Sequence, residues 1–161
     1  MQQKKGQKGF SLIELLIVVA IIGIIAAIAV PNLLASRRAA NEASAISTIR
    51  TVNSAEATYS STVGNGSYGD LAALKGQSLV DEKVGDMATT VKSGYFMDVV
   101  VTDADTDGAN EAYVVGAAPN TASTGARIFS SDESGIIYSN TTSTFGTSAI
   151  PTATSGTPIG N

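Results

Sequence analysis

From Phe10 to Val30 only Ser11 and Glu14 are markedly polar. This run of 21 residues is about the length needed to cross a bilayer as a helix. Pro31 interrupts the run, and helix-forming sequence then resumes. The stretch NLLASRRAANEASAISTIRTVNSAEATYSS is Ala-rich and free of Gly and Pro. Within it Ala39, Ala43, Ile46, Ile49 and Val52 recur at spacings of three and four, with Tyr59 further on. That spacing predicts one buried helix stripe. Arg37, Arg38, Glu42, Arg50 and Glu56 are left to face water or neighbours. The glycines of VGNGSYGD then break the helix. A helix from Phe10 to Ser61 would be roughly 75–80 Å long. No compact domain of this size needs such a length. About half of the helix must be buried by something other than its own domain.

Beyond Asp70 the period changes. DLAALKG reads as one or two helical turns. SGYFMDVVVTD is β-branched and aromatic, and it sets Tyr95, Met97, Val99 and Val101 on one face. EAYVVGA reads as a second strand, and ARIFSSDESGIIYSN as a hairpin turning at DESG. The expected class is α+β, with a meander of about four antiparallel strands whose one face lies on the second half of the helix. From Ser139 to Asn161, 11 of 23 residues are Ser or Thr, with Pro151 and Pro158 among them. That tail reads as extended and exposed.

Composition removes whole classes of chemistry. The 161 residues suit one modest domain plus an anchor. Cys and His are absent, so there is no disulfide, no thiolate, no imidazole base and no imidazole metal ligand. No G-x-S-x-G elbow or Walker loop occurs. The pairs Asp81–Glu82 and Asp132–Glu133 read as solvated loop or turn residues, so an enzyme is not expected. The formal charge is −4, unevenly spread. Lys4, Lys5 and Lys8 precede the apolar run, which leaves seven basic against 14 acidic residues in the rest of the chain. Nucleic acid needs clustered Lys and Arg and is not expected as a partner. The three lysines favour an N-in, C-out orientation for the apolar helix.

One feature of the run is costly. A carboxylate inside a bilayer helix is unfavourable by on the order of 2.5–3.5 kcal/mol, yet Glu14 stands among apolar neighbours. Residues 8–31, KGFSLIELLIVVAIIGIIAAIAVP, closely resemble the N-terminal signature of type IV prepilins and type II secretion pseudopilins. In that family a short basic leader ends in Gly. Prepilin peptidase cuts before the next residue, usually Phe, and methylates the new amino group. A Glu stands at the fifth mature position. The matching residues are Gly9, Phe10 and Glu14. The resemblance implies that Glu14 neutralises the N-terminal amine of a neighbouring subunit during filament assembly.

The organisation that follows is a leader over 1–9, a long helix over 10–62, and a globular β domain with its Ser/Thr-rich tail over 63–161. Residues 10–34 would serve as transmembrane segment and filament core, protruding from the domain, and 35–62 would be amphipathic. The resemblance implies a pilin-like fold and a structural subunit that polymerises into a type IV pilus. A pseudopilin of a type II secretion system, forming a short periplasmic filament, is the alternative. The implied partners are further copies of the chain, the cytoplasmic membrane, prepilin peptidase, an assembly platform with its ATPase, and minor pilins. The location would be the cytoplasmic membrane for the precursor and the extracellular pilus for the product. Many pilins carry a C-terminal disulfide loop, which this chain cannot form, so packing, hydrogen bonds or an ion must pin its end.

Other readings are weaker. An ordinary secretory signal fits the basic start and an Ala27-Ile28-Ala29 cleavage site, but Glu14 spoils the apolar core and the run is long. A permanent single-span anchor explains the helix but not the Gly9, Phe10 and Glu14 combination. Gly23 and Pro31 bracket an expected kink or local melting, because Pro31 lacks the helical donor and crowds the carbonyl of Ala27. In DADTDG, Asp103, Asp105 and Asp107 with Gly108 match positions 1, 3, 5 and 6 of a calcium loop. Position 12 is Val114 rather than Glu, so a solvated acidic turn is the simpler reading, with no cofactor expected beyond that possible calcium. Conduction through stacked aromatics has no support, since the helix holds only Phe10 and Tyr59.

Overall fold

The computed structural model describes residues 9–103 and 108–159. The chain divides into two units, Met1–Ser36 and Arg37–Asn161. One helix, α1 (Leu12–Thr62), belongs to both.

In the first unit every described residue is exposed. Phe10 and Leu12 are about four-fifths exposed, and the large apolar side chains from Ile13 to Leu34 are all open as well. Such a surface is unstable in water, which is the physical reason to expect lipid or protein around it. Among the described residues α1 is the one helix long and apolar enough to cross a membrane. It stays α-helical through Gly23 and Pro31, so the melting expected there is not present in this state.

In the second unit α1 supplies Ala45, Ile49, Val52 and Ala55 to the core. The buried set also includes Glu42, Thr48 and Glu56. The expected stripe is therefore corrected: Ala39 and Ala43 are exposed, and the buried line starts at Glu42. Hydroxyls along this part of α1 fold back on the carbonyl four residues earlier, as Thr48 does on Ser44 and Thr58 on Ser54. That habit lets a Ser/Thr-rich stretch stay helical without stray donors. Left-handed Asn65 (φ 49°) and Gly66 (φ 99°) end the helix.

Two short helices follow, α2 (Leu71–Gly76) and α3 (Glu82–Gly85). Each starts on an Asp whose carboxylate accepts from a backbone N–H three residues on, Asp70 from Ala73 and Asp81 from Val84. Sequence reading anticipated α2 and missed α3, which is a single turn. The strands are β1 (Tyr95–Thr102), β2 (Ala112–Pro119), β3 (Arg127–Asp132), β4 (Ile137–Thr141) and β5 (Thr157–Ile159). They pair antiparallel in chain order. The alternation on β1 is as expected: Tyr95, Met97 and Val99 are buried and Val101 is partly so. The β3–β4 hairpin turns at Asp132–Gly135, where Gly135 N–H donates to the Asp132 carbonyl.

The tail is more ordered than its composition suggested. A fifth strand pairs Ile137 with Ile159 and Ser139 with Thr157. Between β4 and β5 a short 3₁₀ turn, Thr147–Ala149, buries Ala149. Gly146 N–H reaches back to the Pro119 carbonyl, and Ser155 N–H to the Ser130 hydroxyl. The tail crosses β2 at Gly116, where any Cβ would collide with the Pro151 carbonyl oxygen and lie 2.9 Å from the Ile150 side chain. Strand pairing, hydrogen bonds and a close crossing thus hold the C-terminal region of a chain that lacks cysteine.

Candidate assembly site

The residues expected to carry the N-terminal chemistry, Gly9, Phe10 and Glu14, lie at or just before the start of α1. Gly9 and Phe10 are exposed and precede the first helical turn. Helical bonding begins with Leu15 N–H donating to the Ser11 carbonyl. Glu14 sits in that first turn, where a carboxylate is favoured by the helix dipole. Among the described residues no hydrogen bond or ion pair engages its side chain. An exposed peptide bond between Gly9 and Phe10 suits a protease, and a new amine at Phe10 would stand four residues before the carboxylate. Lys4, Lys5 and Lys8 of the expected leader lie outside the described residues.

Asp103 is described, and its carboxylate accepts from Gly108 N–H at 2.9 Å. Asp105 and Asp107, the other expected calcium ligands, lie outside the described residues. Among the described residues no group of three or more acidic side chains could hold a metal ion.

Two carboxylates expected to face water or neighbours, Glu42 and Glu56, are buried inside the second unit. Glu42 clamps α1 to β3. Its Oε2 accepts from Arg127 Nη2 at 2.7 Å and Nε at 3.0 Å, while Oε1 accepts from Ala126 N–H at 3.1 Å. Asn41 Nδ2 donates to the Thr124 carbonyl beside it. The Arg127 guanidinium also lies 5.4 Å over the Phe129 ring. Tyr95 donates its hydroxyl to the Arg127 carbonyl, and burial raises its pKa far above the ordinary phenol value. Glu56 is fully buried further along the same face. A signal for both was present: stepping back and forward by three and four from Ile49 and Val52 lands on Ala45, Glu42 and Glu56. Their charge argued against the stripe, and the stripe prevailed because each found a hydrogen-bond donor.

An open groove of about 650 Å³ is lined by Glu82, Lys83, Asp86, Thr90, Val91, Lys92 and Ser93. At its edge Lys75 and Asp86 pair at 2.7 Å, both partly exposed, and that hydrogen bond raises the Lys75 pKa. Such a mixed, solvated lining offers no nucleophile and base set apart from bulk water.

Comparison with known proteins agrees with the first unit. Residues 4–30 match the family described as the prokaryotic N-terminal methylation motif. The chain is 63% identical over 38 residues to the type IV wide pilus major component of Thermus thermophilus, a stretch covering 24% of this chain and 29% of that protein. It is 43% identical over 47 residues to the type II secretion system core protein G of Aeromonas hydrophila, 29% of this chain and 33% of that one. A fimbrial protein of Pseudomonas aeruginosa is 79% identical over 28 residues, 17% of this chain and 18% of its own. The matched stretch is thus a third or less of each relative. No solved structure matches the chain significantly. Residues 4–30 carry the prokaryotic N-terminal methylation motif, on a stretch of sequence that this chain has in common with a type IV pilus component, a fimbrial protein and a type II secretion core protein.

Proposed function

We propose that the chain is the precursor of a structural filament subunit, cut between Gly9 and Phe10, methylated at Phe10 and polymerised into a type IV pilus. The observation that carries this is the methylation motif placed at the start of a helix whose apolar face is wholly uncovered from Phe10 to Leu34. A membrane covers that face first, with the lysine-rich end inside the cell. Equivalent helices of other copies cover it later. Prepilin peptidase, an assembly platform with its ATPase and minor pilins are the machinery this reading requires. The role is mechanical, not catalytic, and the β-sheet with its Ser/Thr-rich end forms the outer surface of the filament.

Mass spectrometry of the mature protein tests processing: an N-methyl-Phe10 terminus is expected, and an unmodified Val30 terminus would overturn the reading. Immunogold labelling of cells tests the destination. Long labelled surface fibres are expected. A second reading, a pseudopilin in a short periplasmic filament, draws on the similarity to the secretion core protein, which spans 47 residues. Label confined to the periplasm would favour it.

A further inference from the structure

Glu56 is fully buried, yet only one of its two carboxyl oxygens has a hydrogen-bond partner. Oε2 accepts from Gly69 N–H at 3.1 Å. Oε1 has none. A buried oxygen without a donor is costly if it carries charge and far less so on a neutral acid. No ion pair among the described residues offsets it. Among the described residues the charge acting on it is Asp70, a second carboxylate at the start of α2. From β2 the titratable neighbour is Tyr113, whose hydroxyl is already committed to Asn53 Oδ1 at 3.2 Å. The Glu56 carboxyl therefore stands against three elements, and none supplies a second donor.

Gly69 belongs to the segment from Val63 to Gly69, which has three glycines in seven residues. Its first half is tied to the end of α1 by backbone bonds, Val63 and Gly64 N–H to the Tyr59 carbonyl and Gly66 N–H to the Ser60 carbonyl. Its second half, apart from Glu56, is fastened through Tyr68. Its N–H donates to the Asn110 carbonyl at 2.9 Å, its carbonyl accepts from Asn110 Nδ2 at 3.1 Å, and its ring meets Tyr113 at 4.8 Å. Of the elements around Glu56, α1 and β2 are fixed by core side chains. The end of the glycine-rich segment, from Ser67 to Gly69, is the part free of backbone bonds to α1 and the one that can move at lower cost.

We propose that Glu56 is a pH-sensitive latch, which as the neutral acid keeps the segment from Ser67 to Gly69 closed on α1 and as the carboxylate opens it to admit water. The direction of titration fits. Burial, the largest cause, and Asp70 both push the Glu56 pKa up to about 7, against the Gly69 N–H, which favours the anion. The latch therefore works in the neutral range, well above the ordinary carboxylate value. Ionisation forces a choice between a bare buried charge and a displaced loop, and the loop is the softer of the two.

The test uses the full chain in detergent micelles. Carbon-13 NMR with carboxyl-labelled glutamate is expected to show one resonance, missing in Glu56→Gln, that titrates near neutral pH. Hydrogen exchange of the Gly69 amide, corrected for intrinsic base catalysis, is expected to rise about tenfold from roughly pH 5.5 to 8 in the wild type and to stay flat in Glu56→Gln. A Glu56 resonance titrating below about pH 5, or equal pH dependence of exchange in the variant, would overturn the proposal. If Glu56→Gln does not fold, the wild type decides. Exchange at Gly69 must then follow the same midpoint as the one neutral-range carboxyl, and a different midpoint would overturn it.

Discussion

At the scale of single residues, the second unit depends on two acids that do opposite things with their burial. Glu42 is fully satisfied, with three donors around it, and it joins positions 42 and 127 that are far apart in sequence. Replacing it leaves the Ala126 N–H and a half-buried guanidinium without their acceptor. Glu42→Ala should therefore cost roughly 2–3 kcal/mol, less than a fully buried pair because Arg127 still reaches water. Denaturant unfolding of the full chain in detergent checks this, and a cost below about 0.5 kcal/mol, ordinary for a surface pair, would contradict it. Glu56 is half satisfied, and its effect is visible in pH. Its pKa is about 7 folded, against an ordinary 4.5 when unfolded. Between those values the folded state holds a proton that the unfolded state has lost. Stability therefore falls as pH rises through that window, by up to about 1.4 kcal/mol per unit and about 3 kcal/mol in all. Above about pH 7 both states are ionised and this dependence ends. Unfolding midpoints measured from pH 5 to 8 should drop in the wild type, and the drop should vanish in Glu56→Gln. Neither role was legible in the sequence, because an acid's destination depends on donors that lie 13 and 84 residues away.

At the scale of elements, periodicity was readable where the core was apolar and silent where shape decided. The β1 alternation and the β3–β4 turn follow directly from residue type, and the helix stripe needed only a shift to start at Glu42. Ile49 lies at its centre and is fully buried. Ile49→Ala should cost about 2–5 kcal/mol through lost transfer energy and the cavity left behind, measurable as a fall in the unfolding midpoint. The tail was not readable, since Ser and Thr in short strands resemble a solvated linker. Its position is set by close approach: Gly116 leaves room for the Pro151 carbonyl to cross β2. Gly116→Ala should shift the crossing at a cost of about 1–3 kcal/mol. Limited proteolysis would report it as faster cleavage between Thr147 and Ile159, whereas unchanged cleavage would mean that the tail is held elsewhere. The same glycine in an ordinary strand would be only a mild weakness.

At the scale of the whole molecule, the sequence displays the need for assembly more openly than it displays the fold. On the proposed function, the apolar helix surface uncovered from Phe10 to Leu34 finds lipid before it finds other copies. Leaving lipid for protein involves little hydrophobic gain, because both surroundings are apolar. Packing and polar pairing must then tip the balance, and between Phe10 and Leu34 Glu14 is the charged group available. The carboxylate opposes membrane insertion by on the order of 2.5–3.5 kcal/mol. Removing it should make the anchored state more favourable, not less. Glu14→Ala is therefore expected to be cut at Gly9 and retained in membranes at least as well as the wild type, while filament yield falls about tenfold or more, as 1.4 kcal/mol of lost pairing per subunit suffices to produce. Membrane fractionation and quantitation of sheared filaments separate the two steps. Failed insertion could not explain a loss of filaments with full membrane retention, so that result would assign Glu14 to contacts between subunits. Normal filament yield would instead mean that helix packing alone drives polymerisation and that Glu14 is kept in the apolar run for another reason.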